Sequence, residues 1–352
     1  MAEEGSTGLL QFPCKSCGAK LTFDPSVALL DCQYCGYNEE IPQSADQVVE
    51  RGFEDYKADA TGWGTELKSW RCDQCGSMTE VEPHVTAMSC AFCGSDKVQP
   101  QADSPRLHKP ESVLPFVVTK EQTLEVFRKW VSKLWFRPSA LKKQARPDRL
   151  RGVYLPFWTY DSLTSSFWTA QRGDHYYEED SEGNRERKTR WRNVSGDHSA
   201  FFDDVLVPGS SSIEANLLQA VEPFDTNDLV PYQPEYLSGM VAEDYRTDML
   251  ECWPIGKGRM DSRIKAAVVS MIGGDTHRRL DIQTSYLNRT YKLCLLPVWL
   301  ATYRYNNTPY TYIVNGQTGA VSGTAPWSWV KIASLVMSIV GIIGGIIWWQ
   351  SQ

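Results

Sequence analysis

Three catalytic signatures are missing from the chain: a phosphate-binding GxxxxGK(S/T) loop, a metalloprotease HExxH pair and a GxSxG nucleophile turn. Histidine is scarce, with five scattered through 352 residues. Positive charge is not in excess either. The formal net charge is −7, so no bulk field draws the chain onto nucleic acid. The start, MAEEGSTGLLQF, has no apolar run long enough for a signal peptide. The N-terminal bulk is therefore expected in a reducing cytosol. Disorder is excluded by an aromatic content of 12%, including 13 Trp. Paired carboxylates such as Asp203 and Asp204 in FFDDV are adjacent, and neighbours on a strand point to opposite faces. No constellation requires catalysis to explain it, and the expectation is that the chain is not an enzyme.

What is present begins with ten cysteines, eight of them in CxxC pairs. The first set is Cys14, Cys17, Cys32 and Cys35; the second is Cys72, Cys75, Cys90 and Cys93. In each set fourteen residues separate the pairs, and the copies are offset by 58 positions, placing Pro25 on Pro83 and Val27 on Val85. Glycine follows every pair, at Gly18, Gly36, Gly76 and Gly94. CxxC spacing turns two sulfurs inward, and the glycine tolerates the positive φ of the tight turn. Two such turns joined by a hairpin close a tetrahedral thiolate site, so the spacing predicts two structural Zn²⁺ sites with no open coordination position. Redox dithiols and iron–sulfur ligation are the competing readings, and four matched knuckles exceed what one dithiol needs. His84 reads as a loop residue, and Cys252 and Cys294 as buried thiols.

At the other end, Ile332 to Trp349 carries no charge over eighteen residues. As a helix it rises about 27 Å, close to a hydrocarbon core of about 30 Å. Lys331 can snorkel at one end; Trp327 and Trp329, and then Trp348 and Trp349, supply an aromatic belt at both. This predicts a single-pass tail anchor with the preceding residues in the cytoplasm. Ser334, Ser338, Gly341 and Gly345 share a helical face, which fits close approach of a second copy of the chain.

Between the ends, the reading is α+β. It expects a zinc ribbon over 1–42, a helical linker over 43–69 with QVVERGFEDYKA as its helix, and a second ribbon over 70–98. A polar linker at 99–112, an antiparallel-sheet body at 113–326 and a transmembrane helix at 327–349 complete it. Thr119 and Gln122 form a capping box for a helix whose Leu124, Phe127, Val131 and Leu134 face the core. Further helices are expected at 138–145, 212–222 and over much of 234–271. The prolines of LPFW (155–158) and LPVW (296–299) imply a strand start, an edge or a bulge. RERKTRWR, 185–192, is a basic run. A two-residue turn at Gly183–Asn184 would place Glu182, Asp180 and Glu179 opposite Arg185, Arg187 and Lys188 and neutralise it.

FPCKSCGAKL, the second CxxCG ribbon, KLWFRPSALKK, GVYLPFWTYDS, RWRNVSG, FFDDVLVP, LLPVWLATYRY and VNGQTG together resemble a bacterial family of membrane-anchored double zinc-ribbon proteins. Members are often labelled primosomal or replication-factor helicases, a label that a chain without an ATP-binding loop does not support. Some relatives are encoded beside phage-shock-type coat proteins and SPFH-type membrane scaffolds. The resemblance implies the eight Cys as ligands and an adaptor that docks cytosolic or membrane-associated proteins at a bilayer. The competing function is a membrane-associated nucleic-acid binder. Its prospects are lowered by the few cations of the ribbons, Lys15, Lys20, Arg71 and Lys97, since phosphate contacts dominate such affinity.

Overall fold

Apolar and aromatic residues fill two stretches far longer than an ordinary strand, buried without a break over 152–162 and 291–301, and these become the spine of the molecule. The computed structural model describes residues 12–42, 48–57, 68–74, 77–81, 90, 92, 95, 97–100, 108–141, 148–179, 184–306 and 308–350. In chain order, β1 (Thr22–Asp24), β2 (Leu29–Asp31) and β3 (Asn38–Glu39) form a small antiparallel sheet. β4 (Arg51–Gly52) follows, then β5 (Lys68–Cys72), β6 (Met78–Val81) and β7 (Val98–Pro100) as a second three-stranded sheet. β8 (Ser112–Val113) precedes helix α1 (Lys120–Lys133). The large strands are β9 (Asp148–Glu179) and β10 (Arg185–Phe202), followed by β11 (Val207–Pro208), α2 (Ala215–Gln219), β12 (Val230–Pro231) and β13 (Val241–Ala242). Helix α3 (Met249–Ile272) leads into β14 (Thr276–Tyr305), β15 (Thr308–Asn315) and β16 (Val321–Gly323), and α4 (Trp329–Gln350) ends the chain. The architecture is α+β, with the main sheet ordered β10-β9-β14-β15-β16 and these neighbours antiparallel.

The two LPxW segments lie opposite one another, with Leu295 on Pro156 and Pro297 on Tyr154. Both prolines therefore sit inside continuous strands, against the expectation of a start, an edge or a bulge. Their carbonyls explain the tolerance. Pro156 accepts from the Gly209 N–H and Pro297 from the Gly316 N–H, each at 2.9 Å, on the side away from the β9–β14 ladder. Each missing proline N–H thus points to that outer side, where the partner changes. β13 hands over to β11 along β9, and β8 hands over to β15 along β14. No ladder bond is lost at such a joint.

α1 starts at the capping box the sequence predicts: the Thr119 hydroxyl accepts from Gln122 N–H and the Gln122 side chain accepts from Thr119 N–H. Phe127 and Val131 are buried, Leu124 and Leu134 pack at the rim, and the Phe127 ring lies 4.4 Å from that of Tyr312. α3 begins later than expected, where Asp248 caps the Glu251 N–H at 2.8 Å. Met249, Cys252, Gly256, Met260, Ile264, Val268 and Ile272 recur at helical spacing and bury against Tyr160, Trp168 and Ala170 of β9. Gly256 is required there, because an added Cβ would lie 2.7 Å from the Tyr160 ring. The expected helix at 212–222 shrinks to the five residues of α2, and that at 138–145 falls largely outside the described residues.

The linker at 43–69 is not helical where it is described. Arg51 and Gly52 pair with Tyr291 and Thr290, and Phe53–Asp55 form a single 3₁₀ turn against the Trp253 ring. Sheet pairing and burial of Phe53 override the helical periodicity. The hairpin at 179–185 also departs from expectation. Arg185 lies opposite Glu179 and Lys188 opposite Tyr176, a register three residues away from the one expected, with the ladder closing on Glu179 and not on Glu182. The basic run is still matched by acids, through Lys188–Glu178 at 2.5 Å, Arg185–Glu179 at 3.3 Å and Arg192–Asp174 at 3.0 Å.

Candidate metal centre and a buried charge cluster

The first ribbon carries its chemistry in two turns of identical construction. Cys14 N–H donates to the Ala19 carbonyl at 2.7 Å and Cys32 N–H to that of Tyr37 at 2.8 Å, with Gly18 and Gly36 at φ of 76° and 72°. The four sulfurs converge. Cys14 Sγ lies 3.6 Å from Cys35 Sγ, and Cys17 Sγ lies 3.6 Å from Cys32 Sγ. All four sulfurs lie within 4.8 Å of one another, close enough to hold a metal ion. A tetrahedron with Zn–S bonds of about 2.3 Å has edges of about 3.8 Å, so the spacing fits four thiolates around one ion. It is far too long for disulfides. The Ser16 N–H donates to Cys14 Sγ at 3.3 Å. The backbone N–H of Cys35 leads in lowering the Cys32 thiol to about 7, against the effect of burial. Cys14 and Cys32 are buried on the inner side of the ribbon, while Cys17 and Cys35 face out.

The second ribbon repeats the pattern as far as it is described. Cys72 N–H donates to Ser77 and Cys90 N–H to Ser95, at 2.9 and 2.8 Å, the same bonds moved by 58 positions. The bridge Pro13↔Lys20 likewise returns as Arg71↔Met78. Cys72 and Cys90 are buried. Cys75, Cys93 and His84 lie outside the described residues. Cys252 and Cys294 are buried single thiols as expected, with burial pushing the Cys252 thiol up to about 12 and that of Cys294 up as well.

The first ribbon is bound to the body rather than carried on a linker. Leu21, Phe23 and Leu30 enter the same core as Phe116, Tyr154 and Tyr303. The Phe23 N–H donates to the Ser238 carbonyl at 3.0 Å, the Ser238 hydroxyl donates to the Leu21 carbonyl at 2.7 Å, and the Phe23 and Tyr236 rings meet edge to face. The outward knuckle carries Tyr34, 88% exposed. In the other knuckle, Lys15 is paired with Glu39 at 2.5 Å.

Sequence reasoning missed a second group. Glu50, Asp161, Asp203 and Asp204 bring their carboxylates within 4.8 Å of one another around Lys292. Strand alternation had separated Asp203 from Asp204, but β10 ends at Phe202 and Asp204 has a φ of 48°, so alternation no longer applies. The Lys292 ammonium, 5% exposed, lies 2.5 Å from Asp204 and 3.0 Å from Glu50. It supplies the positive charge the acids need. Asp161 accepts from the Asp204 N–H at 2.7 Å and the Thr290 hydroxyl at 2.6 Å. Burial, then the shared hydrogen bond with Glu50, raises Asp161 to about 7. Burial alone would raise Glu50, but the hydrogen bonds from Asp161 and Lys292 hold it below its usual range. Burial pulls Lys292 down, and Asp204 and Glu50 outweigh it. The cluster ties the segment before β4 to the middle of β14.

This arrangement has a definite pH signature. Folded Asp161 keeps a proton that the unfolded chain sheds near pH 3.9. Its contribution to stability is complete below that pH and is lost as the pH rises through about 7. Glu50 acts in the opposite direction, its contribution failing only as the pH falls below the ordinary glutamate range. Asp161→Asn should therefore remove a downward slope of up to about 1.4 kcal/mol per pH unit between pH 4 and 7. Urea midpoints of the detergent-solubilised chain at pH 5 and 8 measure it, and an unchanged slope would place the proton elsewhere.

α4 meets the length and composition needed to cross a membrane, and none of its residues is buried against the rest of the chain. No family model matches the chain, and no solved structure matches it. Over 340 residues, covering 95% of either chain, the protein is 29% identical to the uncharacterized protein YdjG of Bacillus subtilis (strain 168).

Proposed function

We propose that this chain is a membrane-tethered zinc-ribbon adaptor that docks proteins at a bilayer, with α4 as a single-pass anchor and the body in the cytoplasm. Each four-cysteine set holds one structural Zn²⁺, the second completed by Cys75 and Cys93. The observation that carries the reading is the seating of the first ribbon. One side is locked into the body by Leu21, Phe23 and Leu30, while the opposite knuckle presents Tyr34 to solvent. A metal used for chemistry needs an open coordination position, and four thiolates leave none. A rigid, metal-stapled knuckle with an exposed aromatic suits protein contact. Nucleic acid is the weaker reading, since Lys15 is spent on Glu39 and the chain is net acidic.

Tyr34→Ala tests the reading without disturbing the metal. A tagged chain pulled from solubilised membranes after nuclease treatment should retain defined protein partners. The Tyr34→Ala chain should lose them while its zinc content stays unchanged. Bound material that disappears with nuclease alone would make the ribbons nucleic-acid readers.

A further inference from the structure

The end of α1 and the start of α4 are far apart in sequence yet joined in space. The Lys331 ammonium donates to the Trp135 carbonyl at 3.1 Å, the Ser328 N–H donates to the Phe136 carbonyl at 2.8 Å, and the Arg137 guanidinium lies 3.7 Å over the Trp327 ring. These contacts hold the backbone of the turn after α1 and leave its rings outside the core. Trp135 is 74% exposed and Phe136 38%, beside Trp327 at 60% and Trp329 at 77%. Four large aromatic side chains facing water at one place are a poor surface for a soluble body, but aromatic rings of this kind collect where a bilayer meets water.

Charge marks the same place. Residues 126–141 contain four Lys and Arg and no Asp or Glu, in a chain whose net charge is −7. Of these, Arg128, Lys129 and Lys133 are exposed on α1, and Arg137 and Lys331 complete the turn. In the sequence Lys331 stands alone beside the span, since the other cations come about 190 to 200 residues earlier and only the fold brings them there.

We propose that Lys133–Arg137, with Arg128 and Lys129 behind it, lies in the headgroup layer of an anionic membrane beside the base of α4 and fixes how the body sits on the bilayer. The inference rests on α4 spanning that bilayer. The chemistry is the familiar pair of an interfacial aromatic and a juxtamembrane basic cluster, which together draw a surface onto phosphate-bearing lipid. Continuity with α4 selects a lipid occupant over a protein one, since a body fixed at Ser328 and Lys331 keeps this turn at the level where the helix enters.

The test uses the full chain in vesicles of phosphatidylcholine, with or without phosphatidylglycerol. A benzophenone amino acid is placed in turn at positions 135, 34 and 339. Position 339 should crosslink to lipid in both vesicles, and its failure would remove the span itself. Position 34 should give no lipid adduct. Position 135 should crosslink to lipid severalfold more with phosphatidylglycerol present. The double variant Lys129→Gln with Lys133→Gln, at exposed positions, should abolish that increase. With position 339 positive, absence of a lipid adduct at 135, or an adduct only to protein, overturns the proposal. Equal lipid yield in the two vesicles overturns its anionic part.

Discussion

Replacing Lys292 with Met is expected to destabilise the body by about 3–5 kcal/mol, the usual cost of removing one partner from a buried ion pair. The side chain is 5% exposed and sits between Asp204, 10% exposed, and Glu50. Removing its charge leaves the largely buried Asp204 carboxylate without its cation, beside Asp161 and a Glu50 that is 39% exposed. A typical domain is stable by only about 5–15 kcal/mol, so the loss would be visible as a large fall in the denaturation midpoint. A second change tests the cause. Asp204→Asn removes the orphaned charge while keeping a residue that tolerates a φ of 48°. The double variant should recover most of the lost stability. A single variant that costs less than about 1 kcal/mol would mean that water already solvates the cluster.

Loss of one cysteine ligand should have a larger and more local effect. Cys32→Ser is expected to leave one zinc per chain in place of two, because three thiolates hold the ion poorly. Structural zinc contributes about 10–16 kcal/mol in zinc-finger peptides, so the first ribbon should unfold rather than loosen. Leu21, Phe23 and Leu30 would then leave the shared core and expose Tyr236 and the surrounding body. Elemental analysis reads the metal, and limited proteolysis reads the ribbon. Cys252→Ser should keep both ions, since that thiol is buried against α3's own surroundings and far from either knuckle in sequence. A visible chromophore with iron in place of zinc would reassign the sites to iron–sulfur clusters.

The cysteine knuckles were legible because a CxxCG turn is decided within six residues, by spacing and by one positive φ. α1 was legible for a similar reason: Thr119 and Gln122 satisfy each other locally. The tail's exposure follows from its composition. What escaped is what depends on distant strands. QVVERGFEDYKA has a helical period, but Arg51 and Gly52 find partners 240 residues away on β14. Pro156 and Pro297 argued for strand ends until the handovers beside them accounted for their missing donors. Glu50 and Lys292 are 242 positions apart, and neither is conspicuous alone. Asp204 was set aside by a rule for strands that does not hold two residues past a strand's end.

β14 has a consequence for the order in which the molecule can be made. It is the strand on which β4, β8, β9 and β15 all converge, and it comes late, at Thr276–Tyr305. The first ribbon closes through contacts some twenty residues apart, whereas the body waits for pairings such as Arg51 with Tyr291. Local closures are fast and distant ones slow. During synthesis the first cysteine set is therefore ready for metal long before the surface that will cover Cys14 and Cys32 exists. An ion captured then is sealed on its inner side when Phe23 later meets Ser238 and Tyr236. Exchange of such an ion in the finished protein is left to the outer side, where Cys17 and Cys35 are exposed.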